Sequence, residues 1–491
     1  MERNMKKSQI VKSIIYILIF VLLFYGVSSV LVAKWQDHNC ETDVLKEFYD
    51  TKKNTVDVAF IGSSQIAAGA SPMTLYENYG ISSYALGSSN QNLMCSYYLL
   101  KECLKYQDIS TVVMDVSMLY VSGDTNSMRK VIDNMPLSKN KLDLILAQRQ
   151  LEIAQPAWTY VFPIIKYHTR WKDLTEEDFF WTKQEKLQYR GGVLFNGLEA
   201  QAYDSICIDN NEPEKAKIID YELEYFKKIL AFCKEKNLNV VLIKTPKANW
   251  NLNKHEQAQQ FADEAGLPFL DFNTGEMLSA IGFDVTQDMK DMDHLNIRGA
   301  EKMSDYIGKY LVEHYELEDH RDSGLFSEEY LAGYHNKRTE SYMISSGEVA
   351  EYFKYLDNEK YDVIISGTNA LAGSWTEEMQ QAAEAHGVIQ DYRQMPGSRF
   401  VWHIRNGECI YQTASDKEIT YEGVFADGTA MSLTNGDNIQ LIYGENTAKK
   451  GTNGVSFFVY DNSTGKLVDT AGLYYDSTLQ RLRVNHDNVL D

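Results

Sequence analysis

Proline is scarce in this chain of 491 residues, eight against 30 glycines, and cysteine is scarcer at six. Cys40, Cys95, Cys103, Cys207, Cys233 and Cys409 form no C-x-x-C pair and have no histidine at metal-ligand spacing. That argues against a structural zinc site and a disulfide scaffold, and leaves the thiols to be read as small buried hydrophobes. Basic residues are also few, 48 Lys and Arg against 69 Asp and Glu, for a formal charge of -21. Phosphate backbones repel such a surface, so no nucleic-acid partner is expected. A G-x-x-x-x-G-K-[ST] loop and a dinucleotide fingerprint are both missing, so no nucleotide cofactor is expected. Asp288, Asp291 and Asp293 lack the spacing, glycine and closing glutamate of a calcium loop. His168, His255, His314 and His320 lack the arrangement a metal needs, so neither metal nor cofactor is expected.

Only one long apolar run is present, which excludes a channel or transporter. It covers 13–33, SIIYILIFVLLFYGVSSVLVA, long enough to cross a bilayer as one helix. Arg3, Lys6, Lys7 and Lys12 precede it against a single Glu2, which predicts a cytoplasmic tail at 1–12 and export of the rest. The run exceeds a signal-peptide core and no A-x-A site follows, so an uncleaved single-pass anchor in the cell membrane is expected over a cleaved signal. The remaining length and the 44% apolar content call for two or three globular domains.

From about 50 to 318 the pattern is α/β. Val56–Gly62, Ser82–Ser89, Thr111–Met118, Asn239–Lys244 and 268–272 read as strands buried on both faces. Helices are expected over Asn92–Tyr106, over the segment carrying Ile219, Leu223, Phe226, Leu230 and Cys233, and from about Arg298 to Tyr315. A stretch at about 120–212 is set apart as an insertion. Alternation of this kind predicts a parallel sheet with helices on both faces, its ligand crevice outside the strands' carboxyl ends. Those ends carry Gly62-Ser63-Ser64, then Gly87-Ser88-Ser89-Asn90, then Ser117, and before the last helix Asp291-Met292-Asp293-His294. A hydroxyl, an imidazole to take its proton and a carboxylate to orient that imidazole make a serine-nucleophile set. Taken singly, Gly-Ser-Ser is an ordinary loop tripeptide and Asp291–His294 reads equally as a helix cap beside a surface histidine.

At these residues the chain resembles the SGNH/GDSL hydrolase superfamily. The likeness is to membrane-anchored members serving surface-polymer acylation: the D-alanyl-lipoteichoic-acid protein D, alginate O-acetyltransferase and peptidoglycan O-acetyltransferase families. Gly62-Ser63-Ser64 matches the family's first block and Asp291/His294 its D-x-x-H block, which implies a catalytic triad of Ser64, His294 and Asp291. The oxyanion site implied is the Ser64 N–H with Asn90, where the family usually has glycine; asparagine tolerates positive φ. The family's third-block asparagine is missing, and Ser117 stands nearest that place. The resemblance covers roughly residues 56–315. It implies a flavodoxin-like SGNH domain acting as an O-acyltransferase, with a separate multi-pass membrane O-acyltransferase as acyl donor and a surface glycan polymer as acceptor. A carbohydrate esterase using water, or a non-catalytic glycan-binding or assembly protein, are the alternatives.

In the insertion, Tyr167-His168-Thr169-Arg170-Trp171 offers Arg170 and Trp171 either as an acceptor-binding surface or as a packed loop. Lys244-Thr245-Pro246 and Trp250 sit near a strand end without an assigned role. A charge-rich linker is expected at 319–339 and a separate α+β, β-rich domain at 340–491. Its helices are expected at Gly347–Leu356 and Thr376–His386, its strands at Tyr361–Ser366 and Arg399–Ile404, and a hairpin over Val455–Leu473. YDVIISGTNALAGSWTEEMQQAAEAHG and GTNGVSFFVYDNSTGKLVD resemble segments of the interleukin-like (FAM3-type) domain, in swapped order. A relative in the stem of a protein O-mannose N-acetylglucosaminyltransferase recognises sugars, so the likeness implies either a glycan-binding accessory module or a packing domain.

Overall fold

The computed structural model describes residues 7–32, 41–179, 189–192, 196–209, 215–395, 398–452 and 454–487. Contacts divide the chain into two units: 1–193, 207–281 and 303–327 in the first, 194–206, 282–302 and 328–491 in the second.

In the first unit, an apolar helix spans Lys7–Leu31 and is long and apolar enough to cross a membrane. The sheet is built from β1 (Val58–Gly62), β2 (Ser83–Gly87), β3 (Thr111–Asp115), β4 (Asn239–Lys244) and β5 (Phe269–Asp271). All neighbours run parallel, in the order β2-β1-β3-β4-β5. β1, β2 and β3 are buried along their whole length, which explains why their sequences are continuous apolar runs rather than alternating ones. The order reverses direction between β1 and β3, so the switch point of this sheet lies beside the carboxyl ends of those two strands. The third expected strand, Thr111–Met118, stops early at Asp115. There the Asp115 carboxylate accepts the Ser117 N–H at 2.8 Å and turns the chain into a short 3-10 segment, Ser117–Tyr120.

The stretch read as an insertion supplies core to this same unit. Its helices Thr125–Asn134 and Lys139–Ala147 bury Met128, Val131, Ile132, Leu144 and Ile145 in one cluster with Leu93, Leu99 and Val112. Cys95, Cys103, Cys207 and Cys233 are buried free thiols, Cys409 is half-buried, and Cys40 lies outside the described residues.

One buried carboxylate gives the first unit a pH signature. Burial pushes Glu222 up to about 8, although its Oε2 accepts the Leu93 N–H at 2.8 Å, at the start of helix Leu93–Cys103. The native state therefore holds a proton that the unfolded chain has already released between roughly pH 4.3 and 8. Stability from this group is full at the acid end and declines as pH rises through that window. Glu222→Gln keeps an acceptor for Leu93 and removes the titration. The thermal midpoint of the detergent-solubilised chain is expected to fall between pH 5 and 8 in the parent, about that window, and less steeply in E222Q.

The second unit holds two antiparallel sheets. β6 (Tyr361–Thr368), β7 (Arg399–Arg405), β8 (Glu408–Ser415), β13 (Val455–Asp461), β14 (Lys466–Asp476) and β15 (Arg481–Asp487) make one, ordered β15-β14-β13-β6-β7-β8. β9 (Ile419–Val424), β10 (Ala430–Asn435), β11 (Ile439–Tyr443) and β12 (Asn446–Lys450) make the other. The expected hairpin is β13–β14, with Gly465 at φ 70 in its turn. Helices Val349–Leu356 and Glu377–Ala385 cover the larger sheet, contributing Tyr352, Phe353 and Ala383 to its core.

Two features differ from the expected division. Within the stretch read as a linker, residues from 328 onward belong to a helix, Glu328–Ile344, which buries Tyr334, Met343 and Ile344. Segment 282–302, read as the end of the α/β domain, is tied to residues beyond 328. Arg338 forks onto Glu301 at 2.6 and 2.7 Å, Arg298 meets Glu351 at 2.8 Å, and Gln287 meets Glu348 at 2.8 Å. Charge-assisted and bidentate bonds between residues distant in sequence are invisible to local pattern.

Candidate functional site

One group of candidate residues, in the first unit, sits at the carboxyl ends of β1, β2 and β3. Ser63 caps the short helix Ser64–Gly69, its hydroxyl accepting the Gln65 N–H, so Ser64 opens the helix directly after the strand. Ser64 keeps partial exposure while Ser63 and Gln65 are buried. Glycine is required on both sides of this turn. A Cβ at Gly62 would stand 2.6 Å from the Ile66 side chain, and one at Gly87 would stand 2.6 Å from Ser63 O and 2.8 Å from Ala67 N. The second contact is with backbone, which has nowhere to give. Gly87→Ala is therefore expected to cost about 1–3 kcal/mol in chemical denaturation and to displace the Ser63-Ser64 turn.

Asn90 has φ 46, the left-handed conformation for which glycine or asparagine is suited. The loop behind it is fixed by Gln91, which accepts from Ser88 Oγ at 2.9 Å and donates to Leu86 O and Ser96 Oγ at 3.0 Å each. Ser117 Oγ and Asp115 Oδ2 are buried with no hydrogen-bond partner among the described residues. Unsatisfied buried oxygens are costly, and these lie at the end of β3 and just after it, at the switch point.

The unassigned Lys244 proves to adjoin the Ser63-Ser64 turn through Gln65. It is fully buried at the end of β4, donating to Thr245 O at 2.6 Å and to Gln65 Oε1 at 3.2 Å. Burial pushes its ammonium down to about 8. Trp250 lies beneath it, 5.2 Å from Nζ to the ring centre, and donates to Asp271 Oδ2 at 2.7 Å. Asp271 also meets His255 Nδ1 at 2.8 Å, and that hydrogen bond raises the imidazole above its ordinary value. Sequence spacing concealed this histidine–aspartate pair, because 16 residues separate its members and the strand β5 brings them together.

A second group of candidate residues belongs to the second unit. A tight loop closes between Met289 and Leu295, which pair as an antiparallel bridge, with Lys290 N–H donating to His294 O at 2.9 Å. Inside it Asp291 Oδ1 accepts the N–H groups of Asp293 and His294, each at 2.8 Å. The same carboxylate faces His294 Nδ1, at 3.0 Å from Oδ1 and 3.1 Å from Oδ2. Burial works to raise the Asp291 pKa, but the bonds from His294 and the two backbone N–H groups outweigh it and hold the carboxyl below its ordinary value. An ionised Asp291 can only accept, so Nδ1 carries a proton, and in the neutral imidazole the lone pair is on Nε2. The following helix, Ile297–His314, is capped by Asn296: its Oδ1 accepts from Arg298 N at 3.0 Å and Gly299 N at 3.3 Å. Asp291 is thus not the cap of that helix, and its carboxylate serves the imidazole. Asp288 is engaged by Lys302 at 2.7 Å, and no cluster suited to a metal occurs among the described residues.

Arg170 is committed elsewhere. It donates to Leu31 O and Val32 O at 3.0 and 2.9 Å, at the end of the apolar helix, and pairs with Asp178 at 2.9 Å. Trp171 projects outward. Neither shares an element with the strand ends that carry Ser64, Asn90 and Ser117.

No protein-family model matches the chain, and no curated protein matches it.

Proposed function

We propose that this chain is an SGNH-type, serine-dependent O-acyltransferase, anchored by its first helix with the globular units outside the cell, that acetylates a surface polysaccharide or teichoic-type polymer. The observation that carries the reading is the Asp291–His294 pair, a carboxylate held ionised against Nδ1 so that Nε2 is the base. Ser64 in the first unit supports it: a partly exposed serine at a helix start beside the switch point of a parallel sheet.

In this mechanism Ser64 Oγ bonds to the acyl carbonyl of the donor as its proton passes to His294 Nε2. The carbonyl oxygen becomes an oxyanion facing the N–H groups of Ser64 and Asn90. The leaving group departs with the proton from His294, giving acyl-Ser64. A sugar hydroxyl then attacks, its proton moves to His294, and the ester passes to the sugar as Ser64 is reprotonated. A multi-pass membrane O-acyltransferase is the donor partner in this scheme, and the anchor favours transfer over degradation because it holds the protein at the bilayer.

The test is turnover of a chromogenic acetyl ester with and without an oligosaccharide acceptor. Acetylated sugar is the expected product. Free acetate alone would make the protein an esterase, and silence with sugar binding would make it a non-catalytic glycan binder.

A further inference from the structure

We propose that residues 158–172 form a second membrane contact, an aromatic platform that enters the bilayer interface beside the end of the anchor helix. The proposal rests on reading Lys7–Leu31 as a membrane span. The apolar span Gln9–Leu31 has 23 residues, about 34 Å at the usual rise per residue and close to a hydrocarbon thickness of about 30 Å. The platform grips the last two turns of that span. Phe162 packs edge-on against Phe24 at 5.9 Å, Ile164 N–H donates to Ser28 Oγ at 3.3 Å, and Arg170 closes the helix at Leu31 and Val32. Phe24 lies about 10 Å along the axis from Leu31, so a residue touching it stands inside the membrane's thickness, not above it.

The side chains sort accordingly. Thr159, Tyr160 and Tyr167 turn inward: Thr159 Oγ1 accepts from Arg129 at 2.6 Å, Tyr160 lies under the same guanidinium at 4.1 Å, and Tyr167 donates to Asp133 at 2.6 Å. Trp158, Val161, Phe162, Ile165 and Trp171 turn outward, the two tryptophans 53% and 65% exposed. An outward apolar face continuous with the exposed surface of a spanning helix fits lipid. The backbone is ready for that phase, because Phe162 N–H reaches Trp158 O at 2.9 Å, Ile165 N–H reaches Phe162 O at 3.0 Å and Tyr167 N–H reaches Pro163 O at 3.0 Å. In a chain of net charge -21, residues 158–172 carry the exposed Lys166 and Lys172 and no acidic residue, Arg170 being paired with Asp178. That local sign suits anionic headgroups, and tryptophan is the side chain enriched at their level.

The experiment uses the full chain in nanodiscs of phosphatidylcholine and phosphatidylglycerol, with plain or dibrominated acyl chains, one protein per disc. Brominated lipid is expected to quench part of the tryptophan emission. W158F/W171F is expected to lower the quenched fraction roughly two-fold, since Trp35, next to the span, stays in place. An unchanged fraction in the double variant, with the chain still retained by membranes on alkaline extraction, overturns the platform and leaves the anchor standing. Release of the parent chain on alkaline extraction overturns both. Protection of the two tryptophans only in discs carrying two chains assigns the face to a second copy and also overturns the proposal.

Discussion

Ser64→Ala is expected to abolish labelling by a fluorophosphonate probe and to lower acetyl-ester turnover by about 10³-fold or more, the scale on which nucleophile removal acts in serine-base systems. The neighbouring serine makes the experiment decisive. Ser63 and Ser64 differ by one position, yet the first is buried and spends its hydroxyl on the Gln65 N–H, while the second opens the helix half-exposed. Ser63→Ala is therefore expected to cost about 1 kcal/mol of stability through the lost cap and to keep its label. The opposite result, a labelled S64A with a silent S63A, would move the nucleophile by one residue and break the match to the Gly-Ser-Ser block. Labelling of both would place the reactive hydroxyl elsewhere altogether.

The parallel sheet was legible because burial on both faces leaves continuous apolar runs, and VDVAFIG, SSYALGSS and NVVLIK have no other reading at that length. Strand ends were less legible. β3 stops where the Asp115 side chain captures the Ser117 N–H, a local bond that overrides the apolar residues beyond it. The Asp291–His294 contact was readable because three residues of separation fit one turn. Gln65–Lys244 and Asp271–His255 were not, since only the sheet order brings those residues together. Nor does any local signal announce that Arg170 spends its guanidinium on the carbonyls of Leu31 and Val32, at the end of a helix 139 and 138 residues earlier. Strands β9–β11 alternate between buried and outward residues, but Val424 and Ile442 stand on the outward face and break the apolar-polar alternation, so the segment read only as strand and turn.

Asp291→Asn tests the orienting carboxylate more sharply than removal of the imidazole does. Asparagine has the same shape, so the loop is expected to keep its form. In the parent, Oδ1 accepts two backbone N–H groups while both oxygens face Nδ1. The asparagine carbonyl must stay with the two backbone donors, which turns its NH₂ toward His294. An NH₂ can only donate to Nδ1, so the imidazole lone pair moves to Nδ1 and its proton to Nε2. That is the tautomer unable to accept a serine proton. Turnover is expected to fall by about 10⁴-fold in kcat, with KM nearly unchanged because the substrate-facing groups are untouched. An acid-side stability change should accompany it. Because the folded pKa of Asp291 is depressed, its contribution is present above about 3.9 and lost as pH falls through the lowered value. D291N has no such group, so its unfolding midpoint is expected to decline less than the parent's between pH 5 and 3, around that ordinary value. A variant that lost the acid dependence but kept full turnover would show that the carboxylate steadies the loop and has no part in orienting a base.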